Sequence, residues 1–505
     1  MTAWTDCLLL IMSLFACTFF IYKDFGLRML YGYAICGLIF AVHCLRRIIM
    51  KRPPHFNRIK AAYLVMIAVV FICFLRPDSR HDTDTVSYIL AMLICSLYVL
   101  FSTPSDRELK AAMWVFSAAA VIFALYTLLF AFYPDFYWKV VFPHLSEDTQ
   151  VMARYYVPRG YSIPVGGSYT FVDYIVSLAL PFSLGILFSG FRKKWIPVIS
   201  LVACYLYISA VIFIGRRGEM LAILGSVGLV ILFSMNFRSG KAVFKRVIAG
   251  ILLFATFGLL LTGFVLIGIA PRYKDTVEKV YANIQIEIRE KEAQRPTPSV
   301  PAGPAKGDPS AEIPTEWADI SSGRFELWET AWEQFKEHPV IGIGWGSFAD
   351  YVSEEFSDEH ARSSGAQAVV NVHNCYLQFL CETGIIGGIL IMIPLFFLYF
   401  CSLVQVVRGA ARRKSMSRLS FISSILSFGG QSFFLLVAVL DMPFYHYRFW
   451  AFYGALILFS YASLERDGFA AKKLIGRGFV RIAGFLNRLF AGKNVKTESL
   501  KTEDI

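Results

Sequence analysis

Charged residues are scarce in this chain. Asp, Glu, Lys and Arg make up 17% of its 505 residues and hydrophobic residues 56%, against roughly 25% charged in an ordinary soluble protein. Several soluble domains with polar faces are excluded on that ground. Paired cysteines are lacking too: the ten cysteines fall mostly inside apolar runs, and none lies between Pro271 and Val372. That excludes a disulfide framework or a zinc spacing and leaves buried thiols acting as small hydrophobes. There is no single basic patch, because the Lys and Arg residues are scattered over short loops. The net charge of +12 therefore points to topology and lipid attraction, and not to nucleic acid. The N-terminus has neither a basic n-region nor a small-residue cleavage site, so its apolar run reads as a retained span. Gly/Pro-broken spans and internal two-fold repetition, the marks of a transporter or flippase, do not stand out. The conspicuous charges lie at the outer edge and not near a bilayer midplane; that class stays as the competing reading.

What is present in quantity is apolar sequence in runs of about 17–25 residues, the length that crosses a bilayer as a helix. These runs cover 6–22, 28–45, 60–76, 85–102, 111–133, 168–189, 195–214, 218–236, 247–270, 375–404, 419–440 and 445–464. Backbone polar groups in lipid must be bonded within helices. The expected fold class is thus an all-α polytopic membrane protein of about twelve spans. Counting Lys and Arg in alternate loops, one set carries Arg46, Arg47, Lys51, Arg52, Arg58, Lys60, Arg107, Lys110, Arg192–Lys194, Arg238–Arg246 and Arg408–Arg418. By the positive-inside preference that set faces the cytoplasm, as do both termini. The organisation expected is spans one to nine within 1–270, a large helical outer loop at 271–374, spans ten to twelve within 375–464, and a basic cytoplasmic tail at 465–505. Residues 294–314, rich in Pro, Gly and Ala, read as a disordered insertion in the outer loop. The apolar stripes of Tyr273–Glu292 and Lys472–Phe490 predict two amphipathic helices, the second resting on the anionic cytoplasmic leaflet.

Three stretches carry the candidate chemistry. "FIGRRGEML" (213–221) places Arg216 and Arg217 at the outer ends of two spans, against the positive-inside preference. Two adjacent arginines near hydrocarbon call for an anionic partner. Either they form an anion site, whose planar forks suit phosphate, or they pair internally with Glu219 or snorkel to lipid. "SSGRFELWETAWEQFKEHPVIGIGWGSFADY" (321–351) predicts a helix over Arg324–Glu337, on which Phe325, Trp328, Trp332 and Phe335 recur at helical spacing. This helix should lie flat on the membrane or pack on the span ends. The turn that follows, with Gly342, Gly344 and Gly346, brings backbone close to something; as a phosphate cradle its pattern is weak. "VNVHNCYLQFLCETGIIGG" (370–388) opens a span with His373 and Asn374. A neutral imidazole is a good proton acceptor, although a lone histidine is more often simply satisfied by its surroundings. Asp441 in "LDMPFYHYRFW" (440–450) could orient an arginine or an acceptor, or pair with Arg448. Asp82 and Asp84 in "RHDTDT" (80–85) read as a solvated turn capping a helix before they read as a metal site.

In this order, "GRRGEML", "GRFELWETAWEQFKEHPVIGIGWGSF" and "VHNCYLQFLCETGIIGG" resemble the O-antigen ligase and O-antigen polymerase superfamily over about residues 205–400. "PRGYSIPVGGSY" (158–169) is a weaker likeness to an earlier arginine-bearing loop; Pro164-Val165-Gly166 replaces the proline-asparagine step usual there. The resemblance implies a bacterial inner-membrane glycosyltransferase with its active site on the periplasmic face. Its donor would be an undecaprenyl-diphosphate-linked glycan, and its acceptor lipid A–core for a ligase or a growing glycan for a polymerase. It further implies inversion at the sugar and the use of no metal or cofactor. An O-oligosaccharyltransferase acting on protein is a third possibility. Carried over residue by residue, the resemblance maps a membrane-edge arginine onto Arg216 or Arg217, a loop arginine onto Arg324 and a histidine onto His373. Together with the reading of the three stretches, the expected site has His373, Arg217 and Arg324 in catalysis and Arg216, Arg159, Asn374 and Asp441 in substrate binding.

Overall fold

The structure, a computed structural model, describes residues 55–145, 169–189, 195–234, 240–267, 324–352, 371–412, 416–445 and 447–467, with a few isolated positions besides. Every regular element among them is helical. The bundle runs α1 (Arg58–Phe74), α2 (Thr83–Phe101), α3 (Asp106–Phe132), α4 (Tyr169–Phe188), α5 (Trp195–Ile214), α6 (Arg217–Phe233) and α7 (Gly240–Leu266). A surface helix α8 (Arg324–Glu337) precedes α9 (Cys375–Ala411), α10 (Arg418–Val437) and α11 (Tyr447–Asp467). Side-chain caps set several of the starts: Asn57 accepts from the Ile59 and Lys60 amides, and Ser105 with Glu108 closes a capping box.

Helices occupy all the expected spans from 60–76 onward. The first two, 6–22 and 28–45, lie almost wholly outside the described residues, as do Tyr273–Glu292, 294–314 and Lys472–Phe490. Among the described residues four helices, α3, α5, α9 and α10, are each long and apolar enough to cross a membrane. α7 begins at Gly240 and ends at Leu266, against the expected 247–270, and α9 continues past 404 to Ala411.

α10 is the axis of the bundle and packs against α4, α6, α9 and α11. Small residues let backbones meet there, as expected where lipid provides no hydrophobic drive between helices. A Cβ on Gly429 would lie 2.5 Å from Pro181 of α4. Ser226 of α6 donates to the Gly429 carbonyl at 2.6 Å, and Ser427 to Leu456 of α11 at 2.8 Å.

The second difference from the sequence reading positions the site. α9 is not one rod: Gly384 has φ 63° and interrupts it. The amides and carbonyls freed at the break are taken up by the glycine turn that follows α8. Ile343 and Gly344 donate to the Cys381 and Glu382 carbonyls at 3.1 and 3.0 Å, and Ile385 donates to Pro339 at 2.8 Å. Pairing of this kind is what permits non-helical backbone at the edge of a membrane bundle. It needs near-contact of main chains: a Cβ on Gly342 (φ +71°) would sit 2.4 Å from the Glu382 carbonyl carbon. The glycines thus serve backbone-to-backbone packing. On its other side the turn is tied to the loop after α1, where Arg80 donates to the Trp345 carbonyl at 2.9 Å and Arg76 to Gly342 at 3.1 Å. α8 does pack on the span ends: Leu327 and Ala331 share a small core with Ile343, Phe348, Val372 and Cys381.

Candidate functional site

His373 is built by its neighbours. Val372 is fully buried, and its amide donates to the Gln378 side-chain oxygen at 3.1 Å. Asn374 caps α9, its side-chain oxygen accepting from the Tyr376 and Leu377 amides at 3.1 Å each. The first helical amide, Cys375, donates across to the Ala438 carbonyl at 2.8 Å. Between these anchors His373 takes φ 53°, the only left-handed non-glycine backbone among the described residues. A bulky side chain adopts this region rarely, and such conformations concentrate at sites. The outcome is an imidazole 30% exposed whose Nδ1 lies 3.4 Å from Asp441 Oδ1.

Asp441 holds a second partner. Its Oδ2 lies 2.5 Å from Arg216 Nη2, while Arg216 Nη1 lies 2.6 Å from Glu219 Oε1. All three are nearly enclosed, with side chains 12%, 5% and 6% exposed for Arg216, Glu219 and Asp441. Two carboxylates around one guanidinium leave one formal negative charge, and His373 stands beside it. Burying such ions is tolerable only when each meets its opposite, and in a membrane bundle it marks function more often than stability. Tyr174 of α4 lies within electrostatic reach of the same three groups.

The remaining candidates separate. Arg216 was expected as an anion binder; both edges of its fork are taken by carboxylates, so the internal pair with Glu219 is real and Asp441 completes it. Asp441 therefore pairs with Arg216 and His373, while the side chain of Arg448 is outside what the structure describes. Arg217 begins α6, half-buried, directly after Arg216. Arg324 begins α8, half-buried, one turn before Leu327, which shares its small core with Val372. Asn374 spends its carbonyl oxygen on capping. Arg159 lies outside the described residues. Asp82 is the N-cap of α2, bonding the Thr85 amide at 2.8 Å and the Arg80 guanidinium at 2.6 Å. Burial pushes its carboxyl up, but the Thr85 bonds and the Arg80 charge outweigh this and hold it below the ordinary range. Among the described residues no group of three or more His, Cys, Asp or Glu is placed to hold a metal ion.

Residues 202–392 match the family described as O-antigen ligase. That match supports the O-antigen ligase and O-antigen polymerase superfamily for this segment. A search of curated proteins finds no match. The family and the apolar helices together indicate a membrane location and glycan transfer of the ligase or polymerase type.

The O-antigen ligase match takes in Arg216, Arg217, Arg324 and His373, and stops short of Asp441. Asp441 reaches the site because the 438–445 loop folds over the start of α9. Sequence reasoning passed over Glu382, which is fully buried inside the same domain and accepts from Gln378 at 2.9 Å and Tyr445 at 2.8 Å. The signal was legible: an acidic residue inside an apolar run. It also passed over Trp345, which stacks on Tyr445 with ring centroids 4.6 Å apart and packs the glycine turn onto the bundle.

Proposed function

We propose that this protein transfers a glycan from an undecaprenyl-diphosphate carrier to a hydroxyl acceptor at the outer face of a bacterial inner membrane. Both termini are then cytoplasmic and the acceptor is lipid A–core, as for a ligase. The observation that carries the reading is the His373–Asp441–Arg216–Glu219 chain, set at one end of an O-antigen ligase domain and left open to solvent only at the imidazole.

A proton on Nδ1, facing Asp441, leaves Nε2 free to accept. Nε2 takes the acceptor's hydroxyl proton as that oxygen bonds to the sugar's anomeric carbon. The bond from that carbon to the diphosphate oxygen breaks, and undecaprenyl diphosphate leaves with the electron pair. Attack opposite the leaving group inverts the centre. Asp441 holds the ring and stabilises the imidazolium that forms. Arg217 and Arg324 hold the diphosphate, whose growing charge suits their planar forks. Arg216, already matched by two carboxylates, holds Asp441 in place. Protein groups perform every step; no metal or cofactor is assigned a part.

Purified protein given a radiolabelled undecaprenyl-diphosphate glycan and lipid A–core tests this. Label appearing on the core, with release of undecaprenyl diphosphate, is the expected result. Label joined only to further carrier-linked glycan indicates a polymerase, and movement of intact donor across a vesicle wall indicates a transporter.

A further inference from the structure

Glu382 lies one turn past Gln378 in α9, with no exposed surface, and the site as described leaves it without a task. Its bonds run in two directions. Through Oε1 it accepts from the Gln378 side-chain amide at 2.9 Å, and through Oε2 from the Tyr445 hydroxyl at 2.8 Å. The amides of Gly346 and Phe348, in the glycine turn, also point at this carboxylate, the latter at 3.5 Å.

Both directions lead to the candidate site. The Gln378 amide has one accepting end and one donating end. Glu382, an acceptor, turns the donating end toward itself, and this leaves the oxygen facing the Val372 amide at 3.1 Å. Val372 is the residue before the left-handed His373. Tyr445, the other partner, ends the short loop that begins at Asp441. One carboxylate therefore anchors the backbone on each side of the His373–Asp441 pair.

We propose that Glu382 is a positioning residue for glycan transfer: through Gln378 it holds the His373 turn in its left-handed form, and through Tyr445 it holds the loop carrying Asp441. The inference rests on the glycan-transfer reading for its kinetic arm alone. With the carboxylate gone, the Gln378 amide keeps only its longer bond to Asn371 Oδ1 at 3.4 Å, so its hold on the buried Val372 amide is weakened. His373 then relaxes to an ordinary backbone and its ring leaves Asp441.

The test compares Glu382→Gln and Glu382→Leu with the wild type in detergent, at matched folded fraction. Glutamine still offers an oxygen to Gln378 and an amide to the Tyr445 oxygen, so kcat should stay within about threefold. Leucine fills the space without either bond, and kcat should fall by about 10²-fold, since misplacing a reacting group by about 1 Å costs that much. KM for the donor should be little changed, because the arginines are untouched. A second readout needs no activity. The chain has eight histidines, and in ring-labelled protein the His373 signal is the one lost in His373→Ala. That signal should move in Glu382→Leu and stay in Glu382→Gln. Folded Glu382→Leu with wild-type kcat and an unmoved His373 signal would overturn the proposal, as would Glu382→Gln as inactive as Glu382→Leu. Absence of transfer by the wild type refutes the glycan-transfer reading instead, and the histidine signal still decides the role of Glu382.

Discussion

The two ends of the helical bundle both bury charge, and they do so differently. At the basic end Lys60 is fully buried, yet it donates to the Leu100 carbonyl at 2.9 Å and to that of Ser102, and lies over the Tyr461 ring at 4.2 Å. Nearby ions meet at the surface, as Arg466 meets the exposed Asp106 at 2.6 Å. The buried cation there is met by backbone carbonyls, and the end behaves as a set of caps. At the site end Arg216, Glu219, Asp441 and His373 form a chain in which each group depends on the next. The lesson is one of coupling. A buried cation satisfied by backbone carbonyls can be lost at a local cost, whereas removing one member of a coupled chain strands the others.

The comparison can be broken or sharpened by substitution at each end. The largest effect is expected for His373→Ala, with transfer falling roughly 10²–10⁴-fold. Donor binding to the purified variant should stay near wild type, because the base acts on the acceptor's proton. Retained transfer would return His373 to a mere helix-start residue. Next comes Arg216→Gln, which leaves Glu219 and Asp441 buried without their cation. Thermal unfolding in detergent should report a loss of about 3–5 kcal/mol, the usual cost of stranding a buried partner. An unchanged unfolding temperature would mean that the chain is not coupled.

Gly342→Ala puts a side chain into a left-handed position against the Glu382 carbonyl and should cost roughly 2–4 kcal/mol by the same measurement. Arg217→Lys keeps the charge but not the fork, and donor affinity measured by titration should weaken by about tenfold. Smallest at the site is the expected effect of Lys60→Met at the opposite end. It should lower stability by about 1–3 kcal/mol through unsatisfied carbonyls, with transfer changed less than about twofold. A large loss of transfer in folded Lys60→Met would join the two ends functionally and undo the contrast.

Much of the architecture was legible because membrane helices announce themselves in a single line of sequence. The helices from α1 onward, the end of α8 before His338-Pro339, and Asp82 as a cap all follow from apolar run length, breakers and cap residues. His373, Arg216 and Arg217 stood out as polar groups at the thresholds of apolar runs, and Arg324 through the motif that resembles the family. What stayed hidden was pairing. Arg216 looked like a hand held out to phosphate, and its two carboxylates come from Glu219, three residues on, and Asp441, more than two hundred residues away. The break at Gly384 was hidden too, since the run around it is as apolar as an unbroken span.

Local chemistry along the chain was therefore enough to determine which segments are helices and which residues are chemically conspicuous. Hydropathy, capping and turn preference act within a turn or two of a residue. Only the tertiary structure decided which conspicuous residues meet. Asp441 comes to His373 because Cys375 bonds to Ala438 and the 438–445 loop folds over the start of α9. The glycines at 342 and 384 find their purpose only against each other. In a bilayer a freed amide or carbonyl has no water to turn to, so its partner must come from elsewhere in the chain, and sequence distance says nothing of where that will be.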